Sequence, residues 1–265
     1  MSGLHQLLQN VPQWVSIKDR QKAAATVLAS PPDARGSGSD GFWLKLETSK
    51  HGGVEIREVQ DKRQLPEFCL ERHINPDSTF CVFFRSEYPL EDPEAAKRWW
   101  SYLSIYLSNQ RYAQKRGVWP LGSGLSHGEA AYNQVAMEAL AEPLGWKDDL
   151  WLGMFRGKGW LAERLPRISK ERDRILNARS PCPRGCTWKH KLLRKNSCKI
   201  SECHSGCNRL HKPILRAECP NRGVIEELVL HEHERQRIES EIIEALIKEK
   251  RICCGTMERC PLKSK

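Results

Sequence analysis

The 265-residue chain lacks several features that would decide its class at once. No run approaches the roughly 18 apolar residues of a membrane span. The longest apolar stretches, such as Cys81 to Phe84, are strand-sized. The first residues show no basic start followed by an apolar stretch, so a secretory signal is not expected. No glycine-rich nucleotide loop follows a strand-like segment, so the chain carries no adenylation site. No His-x-Glu or His-Glu-x-x-His pattern lies near the cysteine clusters. The tempting His231-Glu232-His233-Glu234 sets its two histidines two apart on a helical segment, facing different sides. Membrane, secreted and fibrous classes fall away, metal-dependent hydrolysis is poorly served, and a cytoplasmic protein is expected.

What is present is uneven. Hydrophobic residues are 39% and charged residues 29%, with a formal net charge of +10. Residues 1–150 hold 17 Lys and Arg against 19 Asp and Glu; residues 151–265 hold 26 against 14. Of the 11 cysteines, only Cys69 and Cys81 precede residue 180. This contrast predicts a near-neutral domain over 1–165 and a basic Cys/His-rich module over 166–265.

In a reducing cytosol, clustered cysteines more often bind metal than pair as disulfides. The spacing runs Cys182-x3-Cys186-x3-His190, then Cys198-x4-Cys203-His204-x2-Cys207-x3-His211, then Cys219. Cys253-Cys254-x5-Cys260 closes the chain. Tetrahedral zinc takes Cys and His ligands, and short spacings let one turn supply two. Pro181, Pro183, Gly185 and Gly206 suit such turns. The candidate ligands are therefore Cys182, Cys186, Cys198, Cys203, Cys207, Cys219, Cys253, Cys254 and Cys260, around structural Zn2+. An iron–sulfur cluster and a set of unligated thiols in a loose basic tail are the other readings of the same cysteines. A saturated thiolate site has no open position for water, which argues against a zinc enzyme.

Between the clusters, Val224, Leu228, Ile238, Ile242 and Leu246 recur at helical spacing. A hairpin near His231–Arg235 would be needed for Cys219 and Cys253 to share a metal. Residues 151–222 hold 18 Lys and Arg against 5 Asp and Glu. With Trp188 beside Lys189-His190-Lys191, this segment offers phosphate attraction and a stacking ring. Nucleic acid and an acidic partner protein are both suitable partners for such a face.

In the first domain, Leu4, Leu7, Leu8, Val11, Trp14 and Val15 have helical spacing, and alanine-rich Gln21 to Leu28 reads as helix too. Residues 31–41 are a Pro/Gly/Ser break. Phe42–Thr48 and Val54–Val59 read as two strands around a His51-Gly52-Gly53 turn. Leu65–Leu70 and Phe80–Arg85 are further extended candidates. After Pro93 the pattern is helical: Glu94–Lys115, then Ser126 as an N-cap of a helix to about Ala141, then an aromatic-rich stretch from Trp146 to Leu165. Arg167–Arg179 reads as a basic helix. The order of helix, strands and helices predicts α+β.

The most informative segment is Cys69-Leu70-Glu71-Arg72-His73-Ile74-Asn75-Pro76-Asp77-Ser78-Thr79-Phe80-Cys81. Asn75-Pro76-Asp77 is a turn signal, and a cysteine flanked by aromatics is by pattern alone an ordinary buried residue. Taken together, the run resembles the active-site stretch of ubiquitin-conjugating enzymes, where a His-Pro-Asn tripeptide precedes a thioester cysteine. It is closer to the prokaryotic ubiquitin-conjugating-enzyme-like proteins of antiphage defence operons. The Arg72–Asn75 run, Phe80-Cys81, Trp99-Trp100 and Gly122-Ser123-Gly124-Leu125-Ser126-His127 carry that likeness, and Cys253-Cys254-Gly255-Thr256-Met257 to Cys260-Pro261-Leu262 extends it. Ile74 stands where the tripeptide has proline, and the Asn-to-Cys gap is shorter than in eukaryotic enzymes.

The resemblance implies a UBC-like helix–antiparallel meander–helices domain, which the cysteine clusters extend with a basic zinc-stapled helical module. It implies a transferase that takes a protein C-terminal glycine onto Cys81 and passes it to an amine. Asn75 would stabilise the oxyanion, His73 would hold the loop, and His127 is a further polar candidate. The passenger would be a ubiquitin-like protein or a cyclic-oligonucleotide synthase, charged by a separate activating enzyme if one is used. The alternative reading is a non-catalytic zinc-stapled protein that binds nucleic acid or protein.

Overall fold

The computed structural model describes residues 2–32, 41–49, 53–82, 90–162, 165–176 and 219–263. These form two compact units, Met1–Ser123 with Ile247–Lys265, and Gly124–Leu246.

The first unit opens with helix α1 (Gly3–Gln9), whose start is capped by the Ser2 hydroxyl accepting from the His5 amide at 3.3 Å. Four strands follow: β1 (Val15–Arg20), β2 (Ala24–Ala29), β3 (Phe42–Thr48) and β4 (Val54–Glu58). They form one antiparallel sheet in the order β1-β2-β3-β4. Period-two alternation turns Ala25, Val27 and Ala29 of β2 and Phe42, Leu44 and Leu46 of β3 inward. Edge strand β1 buries only Val15 and carries Lys18, Asp19 and Arg20 outside, charges that discourage pairing with another chain.

Gln21–Leu28 is thus not helical. Alanine favours a helix in isolation, but Ala24–Ala29 pairs with β1 on one side and β3 on the other, and packing overrides the weak propensity. For the same reason the apolar spacing from Leu4 to Val15 yields only a two-turn helix before the chain enters the sheet.

The sheet packs on helix α2 (Pro93–Arg116), 24 residues or about 36 Å long. Its start is strongly specified: the Asp92 carboxylate accepts from the Ala95 amide at 2.6 Å, and Pro93 occupies the first turn. Its end is set by Gly117, at φ 66. Trp99, Trp100, Leu103, Tyr106 and Leu107 face the core. The Trp99-Trp100 pair is core, each ring 2% exposed and set edge-to-face, with the Trp100 Nε1–H donating to the Leu7 carbonyl.

The closing segment, 247–263, belongs to this unit. Met257 and Cys260 are buried in its core, and the Glu258 amide donates to the Gly117 carbonyl at 2.8 Å. The units therefore divide at 123/124 and 246/247, whereas charge and cysteine usage divide the chain near 165. Composition follows the chain, and packing brings the end of the chain back.

The second unit holds helices α3 (Ala130–Ala141), α4 (Lys147–Arg156) and α5 (Arg222–Lys248). Met137, Ala141, Leu150, Leu161, Ile175, Ile225, Leu228 and Val229 form its core. Helix α5 is continuous, so the segment does not fold back near His231–Arg235. Its His231 Nδ1 meets Asn133 Oδ1 at 2.9 Å, and His233 Nε2 meets the Pro166 carbonyl at 2.8 Å, two different sides as their spacing requires.

Ser126 does not cap α3, which begins at Ala130. Its hydroxyl instead accepts from the buried Arg235 at 3.1 Å, while Arg235 also grips Glu232 through two bonds. Residues 165–176 are not helical either: Ile168 and Ile175 pair across a turn closed by Ser169 and Asp173. Residues 177–179 of the expected basic helix lie outside the described residues.

Candidate active site

Ile56 in β4 accepts a hydrogen bond from the Phe80 amide at 2.8 Å, which fastens a small hairpin beside the sheet. Ile74 pairs with Phe80, and the Asn75 and Cys81 amides donate to the Thr79 and His73 carbonyls at 2.8 and 2.9 Å. The turn residues are Pro76, Asp77 and Ser78. Proline presets φ for the first turn position, the Ser78 amide donates back to the Asn75 carbonyl at 2.9 Å, and Ser78 itself is left-handed at φ 65. A hydrogen-bonded β-turn completed by a left-handed residue is a usual three-residue hairpin connection. Of the stretches that read as extended, Leu65–Leu70 is no strand, with only Cys69 in a β-bridge before Leu70 enters a short 3-10 turn (Leu70–Arg72); in Phe80–Arg85 Phe80 bridges Ile74, and 83–85 lie outside the described residues.

Three side chains tie the hairpin. The Asn75 Nδ2 donates to the Thr79 hydroxyl at 2.9 Å, and that hydroxyl donates to the Asp77 carboxylate at 2.6 Å. The Thr79 amide reaches the same carboxylate oxygen at 3.0 Å. Partial burial raises the Asp77 pKa, but the Thr79 hydroxyl and amide outweigh it and hold the carboxyl below its ordinary value.

The antiparallel register sets Cys81 opposite His73 and Thr79 opposite Asn75. Asn75 is thus the diagonal neighbour of Cys81; regular diagonal pairs stand roughly 7–8 Å apart.

His73 is the hinge of the site. It is left-handed at φ 54 and 8% exposed, with its ring edge-on to Trp119 at 5.1 Å between centroids. Histidine tolerates this region better than most residues, but the conformation needs support. Its carbonyl receives both the Cys81 amide and the Tyr106 hydroxyl, the latter at 3.1 Å. Burial pushes the Tyr106 phenol well up, so it stays a neutral donor.

Arg72, 1% exposed, clamps the same turn to α2: its Nε donates to Gln110 Oε1 at 2.8 Å, and Gln110 Nε2 returns a bond to the Arg72 carbonyl at 2.7 Å. A third contact, 3.5 Å, goes to the Thr256 hydroxyl of the closing segment. Burial lowers the Arg72 pKa.

The two cysteines of this region differ. Cys81 is partly exposed, whereas Cys69 is 1% exposed. Burial, aided by the bond to Cys254, pushes the Cys69 thiol far up. Cys69 Sγ lies 2.9 Å from Cys254 Sγ. Cys254 is also buried in part, but the Cys69 and Thr256 contacts outweigh this and lower its pKa. Burial and the bond it makes to Cys253 raise Cys260 to about 12.

Among the described residues, no group of three or more His, Cys, Asp or Glu is arranged to hold a metal ion. The described sulfurs of this region fall into two pairs, Cys69 with Cys254 and Cys253 with Cys260. Cys219 packs beside the core of the second unit. Cys182, Cys186, Cys198, Cys203 and Cys207, with the basic run around Trp188, lie outside the described residues. His127 belongs to the second unit, where desolvation and the Arg235 charge push it down to about 4. Sequence reasoning missed the Arg72–Gln110–Tyr106 clamp. A run of polar residues on the inward side of α2, Tyr106 and Gln110 four apart, was the available signal.

Residues 14–121 match the model of the prokaryotic E2 domain. The matched stretch contains the hairpin with His73, Asn75 and Cys81. Residues 194–262 match a cysteine-rich domain found C-terminal to the E2 domain. The second match takes in Cys198, Cys203, Cys207, Cys219, Cys253, Cys254 and Cys260, and leaves out Cys182 and Cys186. No curated protein and no solved structure matches the chain. The four-stranded antiparallel meander with its helices agrees with an E2-like domain, and among the described residues no helix is long and apolar enough to cross a membrane.

Proposed function

We propose that the chain carries a protein C-terminal glycine as a thioester on Cys81 and passes it to an amine acceptor, in antiphage defence in the bacterial cytoplasm. One observation carries the choice of sulfur. The E2-domain match contains two cysteines, and Cys69 is sealed at 1% exposure with its thiol pushed up, while Cys81 reaches solvent.

The Cys81 thiolate attacks the incoming thioester carbonyl, the new S–C bond forms, and the donor thiolate leaves. An acceptor amine then attacks the same carbonyl, Cys81 leaves as thiolate, and the amine proton passes to solvent. Both steps build negative charge on the carbonyl oxygen. Asn75 serves as donor to that oxygen; loss of one such donor typically costs about 100- to 1,000-fold in rate. His73 acts through the backbone, fixing the Cys81 amide. The passenger is a ubiquitin-like protein or a cyclic-oligonucleotide synthase, and a separate enzyme activates it. Structural zinc on cysteines of the cysteine-rich domain would supply folding free energy there and no chemistry.

The excess of 18 basic over 5 acidic residues in 151–222 favours a second role, recruitment of nucleic acid or an acidic partner. The test is intact-mass measurement after incubation with a glycine-terminated passenger and its activating enzyme. A thiol-sensitive mass gain is expected on the wild type and on Cys69→Ser, and its loss on Cys81→Ser, with nucleic-acid binding untouched. A thiol-sensitive adduct that survives Cys81→Ser and vanishes in Cys69→Ser overturns the assignment.

A further inference from the structure

The transferase reading leaves the Cys69–Cys254 pair of sulfurs unused. Cys69 begins the turn that leads to the hairpin and is bridged to Ile74 through amide–carbonyl bonds of 3.2 and 3.0 Å. Cys254 lies 185 residues further on, in the closing segment, with its sulfur 2.9 Å from that of Cys69. A disulfide closes at about 2.05 Å, so less than 1 Å separates the two sulfurs from bonding distance. Neither is bonded to Cys81 or to a metal group among the described residues. The two differ in access: Cys254 is partly exposed, and Cys69 is buried behind it. The Thr256 hydroxyl stands 3.1 Å from the Cys254 sulfur and in turn touches the Arg72 guanidinium. A partly exposed thiol linked through a hydroxyl to a cation, with a second thiol in contact behind it, is the arrangement of a peroxide-sensitive cysteine and its resolving partner.

We infer that Cys254 and Cys69 form an oxidisable pair, and that peroxide links them into a disulfide that fastens the closing segment to the active-site turn. The Cys254 sulfur attacks one peroxide oxygen; an S–O bond forms, the O–O bond breaks, and the departing oxygen leaves as water with the thiol proton. The Cys69 sulfur then attacks the Cys254 sulfur; an S–S bond forms, the S–O bond breaks, and the hydroxyl leaves as a second water with the Cys69 proton. Two thiols give up two electrons and two protons, and hydrogen peroxide is reduced to two waters. This chemistry does not depend on what Cys81 carries.

The consequence is a covalent version of contacts already present. The same turn holds Arg72 and His73, and the same closing segment holds Thr256 and Met257, so the bond would fix the residues that position Cys81 without occupying it.

The test uses the full chain as purified. It is treated with hydrogen peroxide, alkylated, digested without reductant and mapped by mass spectrometry. Expected is a loss of two hydrogen masses, one linked peptide joining Cys69 to Cys254, protection of both from alkylation, and reversal by dithiothreitol. Cys81→Ser should retain the linkage; Cys254→Ser should lose it while Cys69 stays reduced. The inference is overturned if both cysteines remain alkylatable after peroxide, if peroxide links either of them to Cys81 instead, or if the linkage forms only after a chelator has stripped a metal. Because Cys81→Ser leaves this linkage intact, failure here and failure of the transferase reading are separable.

Discussion

Thr79→Val tests whether the hairpin under Cys81 is held by its side-chain relay. Valine keeps the shape of threonine, so no cavity opens, but it removes the hydroxyl that accepts from Asn75 and donates to Asp77. A hydrogen bond contributes about 0.5–1.5 kcal/mol net, and more when one partner is charged. Asp77 is exposed, so solvent screening brings its share back towards the neutral value. The two bonds together then contribute about 2 kcal/mol. For a unit of about 140 residues this lowers the melting midpoint by roughly 6 °C. Thr79→Ser, which keeps the hydroxyl, should lose only the methyl contribution of about 1 kcal/mol.

The pH dependence has a definite sign. Asp77 is held low in the folded state, so its stabilisation is present above the unfolded carboxyl value near 3.9 and is lost as pH falls through the folded value. The gap between wild type and Thr79→Val, followed by calorimetry, should be widest at pH 7 and narrow in acid below about pH 4. A gap under about 0.3 kcal/mol at pH 7, or one that stays constant into acid, refutes the relay.

Two further outcomes follow from other residues. Glu58 is 4% exposed and accepts from the Gln64 and Leu65 amides at 3.1 and 2.9 Å; burial nevertheless wins and raises its pKa. Its stabilising share is therefore complete below the unfolded value near 4.3 and is lost as pH rises through the folded value, so Glu58→Gln should flatten the stability profile just above pH 4.3; an unchanged profile in chemical denaturation counts against it. Elemental analysis of the purified chain should find at least one zinc per molecule, and a chelator should remove it more readily as pH falls, since thiolate ligands must take up protons; a metal-free chain with an unchanged melting profile would remove zinc from the account.

Much of the first unit was legible because its signals are local. Phe42–Thr48 and Val54–Glu58 alternate cleanly, Asp92-Pro93 announces a helix start, and Asn75-Pro76-Asp77 announces a turn. The reading failed where a neighbour decides. Ala24–Ala29 has the composition of a helix and becomes a strand because β1 and β3 flank it. Ser126 looks like a cap and instead serves a buried arginine 109 residues away. At the site, the run from Cys69 to Cys81 was visible, but the sealing of Cys69 was not, since it depends on a sulfur 185 residues later in the chain. Residues 166–265 read as one module because charge and cysteines cluster there, yet 247–263 packs with the first unit through Met257 and Cys260.

That return of the chain changes what counts as the structural unit around Cys81. The E2-domain match ends at residue 121, but the turn bearing Cys81 is braced by two supports of different origin. Helix α2 supplies Tyr106 and Gln110, which satisfy the Arg72 and His73 carbonyls; the closing segment supplies Thr256 to the Arg72 guanidinium and the Cys254 sulfur to Cys69. A left-handed histidine costs roughly 1–3 kcal/mol and persists only where its surroundings over-determine it. The first support lies inside the matched domain and the second lies in the cysteine-rich one. The geometry of the turn leading to Cys81 is therefore a joint property of both matched regions, which Arg72 and Cys69 join to the closing segment.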